Sequence, residues 1–279
     1  MKQIKMYLDT TFKTKVLKGS KLNFLIIKHL TLVSSFIPFL KQPTQRFLKN
    51  KKKEMIIQNK LGKFSVYPNN DTIGKSSPYF EYYLQHYIPN TKNNNTFIDI
   101  GGNIGFYSFL ANENNFKEIH TFEANPDTFK ILNKNINLNN LKKKIIPNNI
   151  ALGSKTSELI FAKNKTHTGG SRVIQDKKHY KKQENEELIS VKQITFDEYS
   201  KNNKLKVENI NFIKIDVEGF EYEVLKGMKN TLKQLKPTTK IFIEIWQRNK
   251  HKEEVLKLLE ENNFKIKEQK GSNYLLIKK

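Results

Sequence analysis

Thr96-Phe97-Ile98-Asp99-Ile100-Gly101-Gly102-Asn103-Ile104-Gly105-Phe106 reads as an apolar β-strand that runs into a glycine-rich turn and then into a helix opened by Phe106, Tyr107 and Phe109. An open α/β sheet builds its ligand-binding edge from such a unit. The glycines let backbone approach a ligand closely, and the new helix presents unpaired N–H groups at the positive end of its dipole.

The spacing of the glycines discriminates between ligands. Dinucleotide enzymes place glycine at the first, third and sixth positions of this turn, whereas here the third is Asn103 and the sixth Phe106. A nicotinamide-dependent oxidoreductase is therefore the disfavoured alternative. The run Asp99-x-Gly101-x-Asn103-x-Gly105 instead resembles motif I of the S-adenosylmethionine-dependent methyltransferases, which makes Asp99, Gly101, Asn103 and Gly105 candidate cofactor-binding residues.

Downstream, Glu118 to Phe122 reads as a second strand ending in Glu123, followed by Asn125-Pro126-Asp127, a helix start with a capping side chain, a first-turn proline and a first-turn acid. Glu123 stands about 20 residues past the glycine turn, where an acceptor can take both hydroxyls of an adenosine ribose. Ile145 to Leu152 reads as a third strand and Leu159 to Phe161 as an edge strand, with the rest of Ser157 to Val191 irregular. Thr166 to Arg172 is polar and glycine-containing, which predicts a mobile loop able to close over substrate, with His167 an exposed loop histidine. Thr195 and Glu198 open a helix with a capping pattern. Asn211 to Ile215 is a buried-looking strand that runs into Asp216, Glu218 and Glu221, followed by one helix carrying Val224, Leu225, Met228, Leu232 and Leu235 and closed by Pro237. A strand over Ile241 to Trp246, a helix over Lys252 to Glu261 and a hairpin around Gly271-Ser272 complete a mostly parallel sheet with an antiparallel end.

The 279 residues suit one α/β domain with an extension, and the division expected is 1–66 and 67–279. Absence of cysteine excludes a disulfide frame and thiolate metal sites, and suits a reducing cytosol. The net charge of +23 is uneven: residues 1–60 hold 14 Lys and Arg against Asp9 and Glu54. No Arg-rich or aromatic-interleaved nucleic-acid motif occurs, so the charge alone supports a nucleic-acid or membrane binding module without catalysis. Leu22, Ile26, Leu30, Val33, Ile37 and Leu40 are at helical spacing, interrupted by Lys28, His29 and Pro38, which is too broken for a membrane span. The segment reads as a helix packed on the main domain; the alternative is peripheral contact with an anionic inner membrane surface through residues 1–60. Met55 to Ile57 and Phe64 to Tyr67 predict a hairpin, and Tyr79 to Ile88 a short helix followed by a loop over Asn90 to Asn95.

From about Tyr67 to Trp246 the chain resembles the FkbM family of methyltransferases, on Phe97-Ile98-Asp99-Ile100-Gly101-Gly102-Asn103-Ile104-Gly105, Phe122-Glu123-Ala124-Asn125-Pro126 and Ile213-Lys214-Ile215-Asp216-Val217-Glu218-Gly219-Phe220-Glu221. The family usually has Ala in place of Gly102 and Pro in place of Ala124. The resemblance implies a seven-stranded Rossmann-like sheet, S-adenosylmethionine as cofactor, and O-methyl transfer to a small-molecule or glycan acceptor, often a sugar hydroxyl of a surface polysaccharide, glycolipid or secondary metabolite. Such a hydroxyl is a weak nucleophile at neutral pH, so a base should assist. Asp216 is expected to orient the cofactor or the acceptor, and Glu218 to be the base. Asp216 with Glu244 could alternatively supply oxygen ligands to a divalent metal such as magnesium, a reading not favoured.

Overall fold

The computed structural model describes residues 13–36, 38–78, 80–81, 84–91, 95–176 and 178–279. Seven strands form the main sheet in the order Phe264–Lys270, Asn273–Lys278, Lys240–Glu244, Ile210–Ile215, Thr96–Ile100, Glu118–Phe122 and Ile145–Asn148. The last five run parallel, and Asn273–Lys278 pairs antiparallel with both of its neighbours. The architecture is the expected α/β one. Thr96–Ile100 is central and buried at every position, which is why its residues form one apolar run rather than an alternating one.

Alternate residues feed two cores, as strand pleating requires. Phe97, Ile119, Phe212 and Phe242 face one side, with the Phe97 and Phe212 rings stacked at 5.3 Å. Ile98, Ile100, Ile213, Ile215, Ile241 and Ile243 face the other. Because Thr96–Ile100 has Glu118–Phe122 on one flank and Ile210–Ile215 on the other, the chain reverses its winding there and opens a crevice at the carboxyl ends of the strands.

The hairpin Met55–Asn59 and Gly62–Val66 forms as expected, and Lys15–Lys18 adds a third antiparallel strand to it. The hairpin is anchored to the main sheet's helices. Phe64 meets the Phe109 ring at 5.0 Å, and buried Asn135 accepts from the Ser65 amide (2.7 Å) while donating to the Ile104 carbonyl (2.9 Å). Replacing Asn135 with alanine strands two buried backbone groups, so a loss of about 2–4 kcal/mol in urea unfolding is expected; a loss below about 1 would show that the anchor is dispensable.

Several elements differ from expectation. The helix Lys21–Phe36 buries Phe24 and Ile27, whereas Leu22 and Ile26 of the expected stripe are 66% and 40% exposed. It docks through a neighbouring face, taking Lys28 with it, and burial pushes that ammonium down to about 8. Ile37 lies outside the described residues, as do Tyr79, Tyr83 and part of the Asn90 to Asn95 loop. Among the described residues of Tyr79 to Ile88, the expected helix is represented by a 3₁₀ turn, Gln85–Tyr87. Among the described residues no helix is long and apolar enough to cross a membrane.

Ile145 to Leu152 divides into Ile145–Asn148 in the main sheet and Ala151–Leu152 in a second one. That second sheet has the order Ala151–Leu152, Glu186–Ile194, Ser157–Asn164 and Arg172–Val173. Leu159 to Phe161 is thus the middle of a strand paired on both sides, not an edge strand. The helix expected after the acidic run breaks into Glu221–Lys226 and Lys229–Gln234. A Cβ on Gly227 would stand 1.9 Å from the Gly153 carbonyl oxygen, so the chain passes this point as a bare backbone contact.

Candidate active site

A cleft of about 900 Å³ opens at the carboxyl ends of the central strands. Of the residues singled out in the sequence, Gly101, Asn103, Glu123, Asp216 and Glu218 line it together. Asp99, Gly105 and Glu244 do not. Asp99 is fully buried beneath the turn and accepts from Ser108 Oγ at 2.6 Å; Gly105 starts the helix at φ +98° and packs on Leu132 and Phe109; Glu244 accepts from Ser272 Oγ at 2.8 Å.

Two strand tips are tied to each other. The amides of Gly101 and Gly102 donate to the Phe122 carbonyl at 3.0 and 2.9 Å. Glu123 continues the tie with one oxygen on the Asn103 amide (2.9 Å) and the other on the Asn125 amide (2.8 Å). Each oxygen keeps an unused lone pair. Burial pushes this carboxyl up to about 7 against the pull of those amides, so it gains from any further donor in the cleft. Ile150, Leu152, Phe161 and Phe220 give the cleft an apolar wall; Leu152 and Phe161, both expected in strands, belong to a separate second sheet that the sequence did not predict.

The turn opposite is acidic. Glu218 takes φ +55° and Gly219 φ +100°, a left-handed pair that non-glycine residues rarely enter. Glu221 is fully buried and closes the turn by accepting from the Gly219 amide (2.9 Å) and from Asn249 Nδ2 (2.7 Å). It is therefore a structural acid. Burial, reinforced by Asp216 and Glu244, pushes Glu218 up to about 8, while burial first and Asp216 second push Glu244 up to about 7.

Sequence reading missed the group that balances this charge. Lys214 is fully buried within its strand, and its Nζ donates to the Gly101 carbonyl at 2.8 Å while lying 3.3 Å from Asp216 and 3.8 Å from Asp99. Burial opposes its charge, yet Asp216, Asp99 and Glu81 outweigh burial and raise its pKa. Its Nζ also sits 5.4 Å over the Tyr107 ring, whose hydroxyl donates to Glu81 at 2.6 Å. The signal was available: a lysine in Phe212-Ile213-Lys214-Ile215 breaks an otherwise apolar buried strand.

The Thr166 to Arg172 segment is tied down across the glycine turn. Thr168 Oγ1 lies 3.0 Å from Asn103 Oδ1 and 2.8 Å from Asp71 Oδ1, and the Thr168 amide donates to the same Asp71 oxygen at 2.9 Å. His167 is 60% exposed and 3.6 Å from Asp71. Among the described residues no group of three or more His, Cys, Asp or Glu is arranged to hold a metal ion.

The family model described as "Methyltransferase FkbM domain" matches residues 99–266. The hexuronic acid methyltransferase AglP of Haloferax volcanii is 29% identical over 137 residues, 49% of this chain and 51% of the relative, so this chain spans about half the length of that protein. The methyltransferase sdnD of Sordaria araneosa is 25% identical over 201 residues, 64% of this chain and 77% of the relative. Among solved structures, the tRNA m1G37 methyltransferase of M. jannaschii aligns over 82% of this chain and 54% of its own at 16% identity, with a TM-score of 0.41.

Proposed function

This chain belongs to the methyltransferase FkbM family, and on that footing we propose that it is an S-adenosylmethionine-dependent O-methyltransferase acting on a sugar hydroxyl. When bound, the cofactor supplies an electrophilic methyl group on a sulfonium. The donor set fits it. Glu123 has an unused lone pair on each oxygen for the two ribose hydroxyls, the apolar wall of Ile150, Leu152 and Phe161 suits a purine, and Asp216 offers a carboxylate to the cationic end. Asp216 is itself held by Lys214.

The observation that carries this reading is Glu123, a buried carboxylate fastened to the glycine turn, facing an acidic turn across one cleft. On the acceptor side Glu218 would take the hydroxyl proton while the methyl carbon passes from sulfur to the acceptor oxygen, the breaking S–C pair staying on sulfur as a neutral thioether. A base whose pKa lies near the working pH serves such a weak nucleophile. A sugar acceptor is further supported by the name of the Haloferax volcanii relative, a hexuronic acid methyltransferase.

Calorimetry with S-adenosylhomocysteine and with NAD tests the cofactor. Saturable binding of the first and none of the second is expected, with Glu123→Gln weakening the first about 10-fold or more, since each charged hydrogen bond contributes about 1.5–3 kcal/mol. Binding of NAD alone would overturn the reading.

A further inference from the structure

A second groove, of about 1220 Å³, meets the cofactor cleft at one residue, Glu218, which lines both. Its walls carry Trp246, Arg248, Arg172, Gln175 and Lys250. The composition is unusual for this chain. There is one tryptophan in 279 residues, and it is 40% exposed in this groove; there are three arginines against 47 lysines, and two of the three line it.

The groove is built onto the acidic turn. Gln175 Nε2 donates to the Gly219 carbonyl at 2.8 Å, and Asn249 is held by Glu221 at 2.7 Å, so the wall bearing Trp246 and Arg248 is fixed relative to Glu218. Arg248 lies 5.5 Å from the centre of the Trp246 ring and has no carboxylate partner among the described residues. Arg172 is anchored by buried Glu186.

We propose that this groove is the acceptor subsite and that it takes a sugar carrying a carboxylate, a hexuronate or a glycan ending in one. The inference rests on the methyltransferase reading above and adds where the acceptor lies and what selects it. The C–H face of a pyranose is electropositive and lies against the electron-rich face of an indole. A guanidinium offers a planar fork that matches a carboxylate, which an ammonium does not, and in a chain so rich in lysine the placement of arginine marks that geometry. A sugar seated beside Trp246 with its carboxylate on Arg248, which lies over one face of the indole, occupies the groove that meets the cofactor cleft at Glu218.

Since Trp246 is the sole tryptophan, its fluorescence reports this groove alone. The full chain, saturated with S-adenosylhomocysteine, is titrated with D-glucuronate, D-glucose and acetate. Saturable quenching by glucuronate is expected at millimolar concentration, at least about 10-fold tighter than glucose and absent with acetate; Arg248→Ala abolishes the preference for glucuronate over glucose. Equal response to glucose and glucuronate, or none to either up to about 50 mM, would overturn the proposal. A wild-type preference that Arg248→Ala leaves intact would also overturn it. The cofactor reading is scored separately by calorimetry, so a chain that binds S-adenosylhomocysteine but not glucuronate refutes only the groove, whereas a chain that binds no S-adenosylhomocysteine refutes the cofactor reading and with it the groove's role as acceptor subsite.

Discussion

Replacing Lys214 with methionine is expected to destabilise the protein by about 3–5 kcal/mol in urea unfolding, more than an ordinary surface lysine could. The side chain is fully buried between Asp99 and Asp216 and donates to the Gly101 carbonyl. Its removal leaves an uncompensated buried carboxylate and an unpaired carbonyl in the glycine turn, and methionine restores only the volume. Asp99 provides the internal check. Burial already raises its pKa, so protonation relieves part of the cost, and Lys214→Met combined with Asp99→Asn should recover some of the loss. A single variant within about 1 kcal/mol of wild type would show that the ion cluster does not hold the turn.

The second large effect concerns Glu218. Conversion to glutamine is expected to lower turnover by about 10²–10⁴-fold, the range of a general base, while calorimetric binding of S-adenosylhomocysteine changes little. The pH profile makes the test specific. With its carboxyl pushed up to about 8, Glu218 is mostly protonated at neutral pH, so activity should climb as pH rises through about 8 and level off above it. The carboxyls of Glu123, Glu221 and Glu244, pushed up to about 7, titrate about one pH unit lower, so Glu218→Gln should remove the component of the rise centred near 8 and leave any that these groups contribute. Its backbone supplies a second distinction. At φ +55° a glutamate is strained by about 1–3 kcal/mol, so Glu218→Gly should be equally inactive yet no less stable. Full activity in Glu218→Gln would remove the base assignment.

Much of this molecule could be read from local pattern, and the misreadings share a cause. The Thr96 to Phe106 unit, the strand ending in Glu123 and the acidic turn after Ile215 were legible because each is a short apolar run followed by residues with sharp conformational preferences. The second sheet was not. Only Leu159 to Phe161 was legible as strand within Ser157–Asn164, and Glu186–Ile194 not at all, because their pairing partners lie tens of residues apart and no local window shows which segments join into one sheet. The break at Gly227 likewise depends on a carbonyl 74 positions earlier, that of Gly153.

Sequence alone determined the strands that make the parallel part of the main sheet, the glycine turn, the acid at position 123 and the family, because these depend on residues close together in the chain. Only the tertiary structure decided that Asp99 lies behind the cleft, that Lys214 is the buried counter-charge, and that Glu218 stands where two grooves join. Those are facts of burial and of charge brought close across long loops, and the free energy of an ion depends on what surrounds it in space, which a linear string of residues does not specify.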